Sequence, residues 1–185
     1  MADATAGTYR WSREAYDRAV DAGVFGPDDR IELIDGEIVG MTAQGSRHAA
    51  AVIMVTKVVE RAFGAGCHVR PQTPLAIGPD SEPEPDIAVV EGAPGDYLDA
   101  HPATALLVVE VSDDSLRRDR TVKQRLYARH GLPEYWIVAL PGARLEVHRE
   151  PSANGYRSVH VYRRGDRVAP LARPGTEIAV DDLLP

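Results

Sequence analysis

The sequence has little cysteine and no long hydrophobic run. Cys67 is the single cysteine among 185 residues, so an intrachain disulfide is excluded and we expect a reducing, cytoplasmic environment. The longest apolar run, residues 49–55, is far below the roughly 18 residues of a membrane span. The first residues, MADATAGTYRW, lack the basic start and apolar stretch of a secretory signal. We therefore expect a protein without a membrane partner.

Several sequence motifs of well-known enzyme classes are also absent. The chain contains no glycine pattern of the phosphate-loop or dinucleotide type and no Gly-x-Ser-x-Gly elbow. Cys67 and His68 have no second ligand pair at zinc spacing. The length is enough to bury a core without a metal or a disulfide staple. We expect one domain over residues 1–185, with residues 1–10 flexible.

Charge is distributed unevenly along the chain. The net charge of −7 argues against nucleic-acid binding by overall charge alone. Residues 71–116 contain ten acids and no lysine or arginine, whereas residues 117–130 contain six basic residues and one acid. This order is compatible with a metal-dependent enzyme that acts on a polyanion. On charge alone, the pattern favours a solvated acidic loop beside a solvated helix face.

The patterns predict a mixed α/β chain. Helices are expected from Ser12 to Ala22, over 47–63 with Ser46 as cap, and over 119–130. The sequence IELIDGEIV predicts a hairpin around Asp35-Gly36, with Leu33 opposite Ile38 and Glu32 opposite Val39. Further strands are predicted at 68–70, 73–77, 86–90, 105–111, 134–138, 145–149, 156–162 and 168–171.

Two carboxylates stand out within these predicted strands. Asp86 follows Pro85 at the start of one apolar strand, and Glu110 lies near the end of the next, LLVVEV. If the two strands pair antiparallel, both carboxylates meet at the same edge of the sheet. An acid in an apolar strand is costly without a partner, and a shared Mg²⁺ or Mn²⁺ would supply one. The alternatives are a turn-capping role for Asp86 and an ion pair with a helix arginine for Glu110.

These residues carry a family resemblance. Pro85-Asp86 followed by an acid near the end of the next strand resembles the PD-(D/E)XK nuclease superfamily. Within it, the chain is similar to the Uma-type putative restriction endonucleases. The similar stretches are IELIDGEIVGM, SRH at 46–48, PEPDIAVV, LLVVEVSDDS, DRTVKQRLYARHGLPEYWIV and GTEIAVDDL.

The resemblance implies a restriction-endonuclease-like fold, with a mixed sheet flanked by the helices at 47–63 and 119–130. It implies metal-dependent hydrolysis of nucleic-acid phosphodiester bonds, most commonly of DNA, with Mg²⁺ or Mn²⁺ held by Asp86 and Glu110. His48 is expected to face the site or to be a partly buried capping histidine. Glu32 is either a further acid near the metal or an exposed hairpin acid.

One position departs from the superfamily pattern. The motif lysine would stand two residues after Glu110, where this chain has Ser112. The resemblance places the lysine instead at Lys123, and Tyr127 shares a helix face with it. The alternatives are a solvated Lys123 paired with Asp119, and a core tyrosine. Candidate phosphate contacts are the arginines of the same region, Arg117, Arg118, Arg120 and Arg125.

Three hypotheses follow from the sequence. The first is a metal-dependent endonuclease that works as a homodimer, because breaking both strands of a duplex takes two hydrolyses. The second is an inactive nucleic-acid- or protein-binding module on the nuclease scaffold. The third is an α/β domain without a metal, which would apply if Asp86 and Glu110 lay far apart.

Overall fold

The computed structural model of the protein describes residues 7–26 and 28–185. The predicted flexibility of residues 1–10 falls mainly on residues 1–6, which lie outside the described part; residues 7–10 are exposed. No described helix is long and apolar enough to cross a bilayer.

A six-stranded mixed sheet forms the centre of the structure. Its strands are β3 (Cys67–Pro71), β4 (Ile87–Glu91), β5 (Leu107–Ser112), β6 (Glu134–Ala139), β7 (Arg144–Ser152) and β8 (Gly155–Arg163). They lie in chain order, and every neighbouring pair is antiparallel except β5 and β6, which are parallel. A parallel pair needs a crossover, which here is the helical segment between the two strands. The α/β fold with a mixed sheet and flanking helices is therefore confirmed.

Two small sheets complete the strand content of the described residues. The hairpin consists of β1 (Ile31–Ile34) and β2 (Glu37–Gly40), while β9 (Arg167–Val168) pairs with β10 (Ile178–Ala179). The predicted hairpin register is confirmed, with Leu33 opposite Ile38 and Glu32 opposite Val39. Asp35 and Gly36 both have positive φ, 51° and 76°, as a type I′ turn requires.

The described residues form three longer helices and two 3₁₀ turns, the latter at Pro94–Tyr97 and Val180–Leu183. Helix α1 (Arg13–Asp21) begins where the backbone N–H of Ala15 donates to Ser12 Oγ at 3.2 Å. Helix α2 spans Ser46–Phe63. Helix α3 runs through an α-helical turn (Leu116–Arg118), a π-helical turn (Asp119–Lys123) and a final α-helical piece (Gln124–Arg129). It therefore begins before the predicted start at residue 119.

The sheet buries a different core on each face. Alternation along β5 sends Val109 to the face covered by α2, whereas Val108 packs with Tyr127 of α3 on the other face. Glu110 shares the parity of Val108, so its carboxylate lies under α3. This alternation is what brings an acid of the central sheet beneath the basic helix.

Three local predictions differ from the structure. The strand predicted at 168–171 is not formed beyond Val168, the last residue of β9. Residues 73–77 form no strand, because Pro74 interrupts them and their backbone donors pair elsewhere: Leu75 N–H with Pro83 O and Ala76 N–H with Pro102 O. Ser46 is the first residue of α2 rather than its cap, and the capping position is held by Gly45 without a side-chain bond. The error at 73–77 arises where non-local backbone contacts outweigh local patterning.

Candidate active site

A small cavity of about 180 Å³ opens where β4 begins, β5 ends and α3 starts. The hairpin, the loop 41–45 and the first turn of α2 form its other walls. Its lining includes the sequence-predicted residues Glu32, His48, Asp86, Glu110, Arg118 and Lys123. Six residues from five separate chain segments therefore face one space.

Asp86 and Glu110 meet as the antiparallel pairing of β4 and β5 requires. Ile87 pairs with Val109, which places Asp86 immediately before β4 and beside the end of β5. The backbone N–H of Asp86 donates to Glu110 Oε2 at 3.4 Å, and the N–H of Val111 donates to Asp86 Oδ2 at 2.8 Å. Each carboxylate is thus held at the backbone of the other's strand.

His48 lies beside Asp86. Its Nε2 is 3.1 Å from Asp86 Oδ1, since α2 begins at Ser46 and turns its first residues toward the sheet edge. The hydrogen bond to Asp86 raises the pKa of His48, and burial opposes this effect only partly. His48 therefore faces the site, which was one of its two predicted positions.

Lys123 and Tyr127 both bind Glu110. Lys123 Nζ and the Tyr127 hydroxyl each donate to Glu110 Oε1, at 2.9 Å in both cases. Lys123 is only 7% exposed, so it is not the solvated lysine of the alternative interpretation. Its predicted partner in that interpretation, Asp119, bonds elsewhere.

Burial and neighbouring charges shift the pKa values of this pair. Burial raises the pKa of the Glu110 carboxyl; Lys123 opposes the rise, and Asp86 and Asp119 add to it. Burial alone would lower the pKa of Lys123, but the carboxylates of Glu110 and Glu32 outweigh it and raise that pKa. Lys123 therefore keeps its positive charge.

Glu32 differs from the exposed hairpin acid of one interpretation. It is 1% exposed, although it belongs to a two-stranded hairpin. Its carboxylate accepts hydrogen bonds from Arg118 at 2.6 Å and from the backbone N–H of Glu84 at 3.2 Å, and it lies 3.5 Å from Lys123 Nζ. Glu32 is therefore a buried member of the site.

Asp119 is a site residue that sequence reasoning assigned only to an ion pair with Lys123. It is 2% exposed and lines the cavity. Its Oδ2 accepts hydrogen bonds from the hydroxyls of Ser112 and Ser115, both at 2.6 Å. Ser112, which replaces the motif lysine, thus ties the end of β5 to the π turn of α3. The spacing Ser-x-x-Ser-x-x-x-Asp was the only available signal.

The four candidate arginines separate into three situations. Arg118 lines the cavity and bonds to Glu32. Arg120 points to β7, where its guanidinium forms a bidentate ion pair with Glu146. Arg117 and Arg125 are exposed. Of the four, only Arg118 lines the cavity where Asp86 and Glu110 meet.

The donor set fits a hard divalent cation. The described residues contain no group of three or more His, Cys, Asp or Glu side chains arranged to hold a metal. The cavity offers instead a pair of carboxylates, Asp86 and Glu110, each hydrogen-bonded to the backbone beside the other. Mg²⁺ is commonly bound by one or two carboxylates, with water and substrate phosphate completing its shell. A cation here would also offset the repulsion by which Asp86 raises the pKa of Glu110.

Comparisons with known proteins agree with this architecture. No curated protein matches the chain. A solved structure, that of a putative nuclease belonging to DUF820 from Anabaena variabilis ATCC 29413, matches with a TM-score of 0.72 and 13% identity, covering 94% of this chain and 97% of that one. An identity this low shows a shared fold.

The family comparison covers most of the sequence. The sequence model of Uma2, described as a putative restriction endonuclease, matches residues 13–181. This range includes the hairpin, both core strands of the site and helix α3. The predicted resemblance is thereby confirmed, and the chain belongs to the Uma2 family of putative restriction endonucleases.

Proposed function

We propose that this protein is a metal-dependent endonuclease that hydrolyses phosphodiester bonds of DNA. The family and the structural neighbour support a nuclease-like function. The observation that carries the proposal is the meeting of Asp86, Glu110 and Lys123 in one cavity, with Lys123 Nζ 2.9 Å from Glu110. Two acids and a buried ammonium provide both a cation site and a fixed positive charge.

The residues take separate roles in this mechanism. Asp86 and Glu110 would hold Mg²⁺ or Mn²⁺, which supplies Lewis-acid stabilisation of the phosphate and a water of lowered pKa. Because its neighbours raise the pKa of Lys123, Lys123 serves as a permanent cation facing developing negative charge rather than as a base. Tyr127 and His48 orient Glu110 and Asp86 through their hydrogen bonds.

Substrate binding rests on the basic residues around α3. Arg118 lies at the cavity, where a phosphate next to the scissile bond would bind. Arg117 and Arg125 are exposed beyond it and can contact further backbone phosphates, which position a duplex without reading its sequence. With a net charge of −7, binding depends on this local surface, so we expect affinity to fall steeply with salt.

A homodimer is part of the same proposal. Strand β8 is an edge of the six-stranded sheet, and Val159 and Val161 on it are about half exposed. An unpaired edge strand with apolar side chains can pair with a second copy. Two sites in one assembly would then serve the two strands of a duplex.

The test combines cleavage with metal binding. Asp86→Asn and Glu110→Gln should each abolish Mn²⁺-dependent cleavage of labelled duplex DNA. Each should also weaken the binding of Mn²⁺, which calorimetry measures. Glu91→Gln is the matched control, because Glu91 is exposed at the far end of β4. Cleavage that is unaffected by the two site variants would place the chemistry elsewhere and refute the proposal.

One observation favours a second candidate, a binding module without catalysis. Ser112 stands where the superfamily motif has lysine, and its hydroxyl is committed to Asp119. Binding of Mn²⁺ and duplex DNA without cleavage of DNA or RNA by the wild-type protein would support this candidate over the nuclease.

A further inference from the structure

We propose that Glu32 is a positioning residue that holds two cations, Lys123 and Arg118, at fixed places around the substrate phosphate. The inference rests on the proposed nuclease function and assigns the β1–β2 hairpin a part in it. It differs from both sequence interpretations of Glu32, as a metal ligand and as an exposed acid.

The two oxygens of Glu32 are divided between the two cations. Oε1 accepts from the Arg118 guanidinium at 2.6 Å. Oε2 accepts from the backbone N–H of Glu84 at 3.2 Å and lies 3.5 Å from Lys123 Nζ. Glu32 thus has a cation of the protein at each of its two oxygens. Glu110 has one such cation, Lys123, and Asp86 has only His48. The charge of Glu32 is therefore already offset by the protein, as expected of a counter-ion.

The hairpin holds Glu32 firmly in this place. The neighbouring residue, Leu33, exchanges backbone hydrogen bonds with Glu82, at 2.8 and 3.3 Å. The Ser81 hydroxyl and the backbone N–H of Asp35 form a third link at 2.9 Å. The hairpin is thus anchored to the segment that leads into Asp86, so the backbone that carries Glu32 is fixed relative to the site.

The two cations differ in their exposure, and this suggests separate tasks. The Lys123 side chain is 8% exposed and also binds Glu110, whereas that of Arg118 is 30% exposed. Apart from its bond to Glu32, the Arg118 guanidinium donates no hydrogen bond within residues 7–26 and 28–185. Its remaining N–H groups are available to a phosphate, to which a guanidinium can bind bidentately.

Separate tasks predict a separable kinetic result. Arg118→Gln should raise KM for a duplex substrate with little change in kcat. Glu32→Gln should both raise KM and lower kcat, each by about tenfold, the effect of losing roughly one charge-assisted hydrogen bond. In the double variant Glu32→Gln/Arg118→Gln, KM should equal that of Arg118→Gln alone, because Glu32 affects substrate binding through Arg118.

The control and the independent readouts exclude other roles. Glu37→Gln changes an exposed acid of the same hairpin, 3.2 Å from Arg10, and should leave KM and kcat unchanged. Mn²⁺ affinity measured by calorimetry should be the same for Glu32→Gln and the wild type. Weaker Mn²⁺ binding by Glu32→Gln would show that Glu32 is a metal ligand. Additive increases of KM in the double variant would show that Glu32 does not act through Arg118. Either result overturns the inference.

Two further measurements keep the test decisive. If circular dichroism shows that Glu32→Gln does not fold, Glu32→Asp, which keeps the charge but shortens the side chain, takes its place in the same cycle. If the wild type cleaves no substrate, the proposed function fails. The wild type, the two single variants and the double variant are then compared by their dissociation constants for a fluorescein-labelled duplex. Non-additive losses of affinity for positions 32 and 118 would still support the inference, and additive losses would refute it.

Discussion

Lys123 donates a hydrogen bond to Glu110 across 2.9 Å, although the two residues belong to different elements and stand 13 positions apart. The bond links the central strand β5 to α3 at the helix's π turn, which includes Lys123. A π turn contains an extra residue and is frequent at functional sites. The π turn of α3 thus places the buried Lys123 ammonium against Glu110.

Removal of the Lys123 ammonium should affect both rate and stability. Lys123→Ala should slow Mn²⁺-dependent cleavage by raising its activation free energy by about 2–4 kcal/mol, the size of one electrostatic stabiliser. Mn²⁺ should still bind to the variant. It should also lower the free energy of unfolding by about 3 kcal/mol or more, because it leaves Glu110 and Glu32 without their shared cation. Single-turnover kinetics and guanidinium unfolding measure the two effects.

The control for stability is Arg125→Ala, an exposed change on the same helix, which should stay within about 0.5 kcal/mol. Equal stability of Lys123→Ala and the wild type would show that Lys123 is solvated. Equal cleavage rates would remove it from the mechanism.

Exchange of the lysine between its two positions tests whether the superfamily arrangement remains usable. Ser112 and Glu110 lie two residues apart on β5, on the same face of the sheet. The double variant Ser112→Lys/Lys123→Ser should therefore cleave faster than Lys123→Ser alone, by about tenfold if the new ammonium supplies part of the electrostatic stabilisation. No gain would mean that the charge must approach from α3.

The pH dependence of stability should contain a contribution from His148. This residue is buried, with ring centroids 5.4 Å from Tyr135 and 5.9 Å from Tyr156, and neither ring nitrogen has a hydrogen-bond partner in the described part of the chain. Burial lowers the pKa of His148 from 6.5 to about 4. Between these two pKa values the imidazole is protonated in the unfolded chain and neutral in the folded chain. The free energy of unfolding therefore falls as the pH drops from about 6.5 to about 4.

The measurement is the free energy of unfolding at several pH values, compared with His148→Phe. The wild type should lose about 1–3 kcal/mol more than the variant between pH 7 and pH 4. The other titratable groups are the same in both proteins, so their contributions to the pH dependence cancel in the difference. Parallel curves would show that His148 is protonated in the folded state or accessible to water.

The dimer proposal gives a prediction for strand β8. Sedimentation at micromolar concentration should show a dimer for the wild type and a monomer for Val159→Lys/Val161→Lys, because lysines on an edge strand oppose pairing. Both valines are about half exposed, so the change should cost little stability in the monomer. A wild type that sediments only as a monomer would contradict the prediction.

Local sequence patterns predicted much of the framework. The Asp35-Gly36 turn predicted the hairpin register because a two-residue turn of this type allows only one pairing of the flanking strands. Alternation and strand order placed Asp86 and Glu110 at one sheet edge, since the two strands are antiparallel neighbours. The i, i+4 spacing of Lys123 and Tyr127 put both on one helix face, where they bind the same oxygen of Glu110.

The sequence by itself thus determined which side chains share a strand face or a helix face, because those relations follow from backbone periods of a few residues. The tertiary structure alone decided that Glu32 is buried, that Lys123 lies between Glu110 and Glu32, and that Arg120 turns away to Glu146. These contacts join residues between 13 and 91 positions apart. Their geometry depends on how the hairpin and α3 pack on the sheet, and on the balance between desolvation and charge pairing that this packing creates.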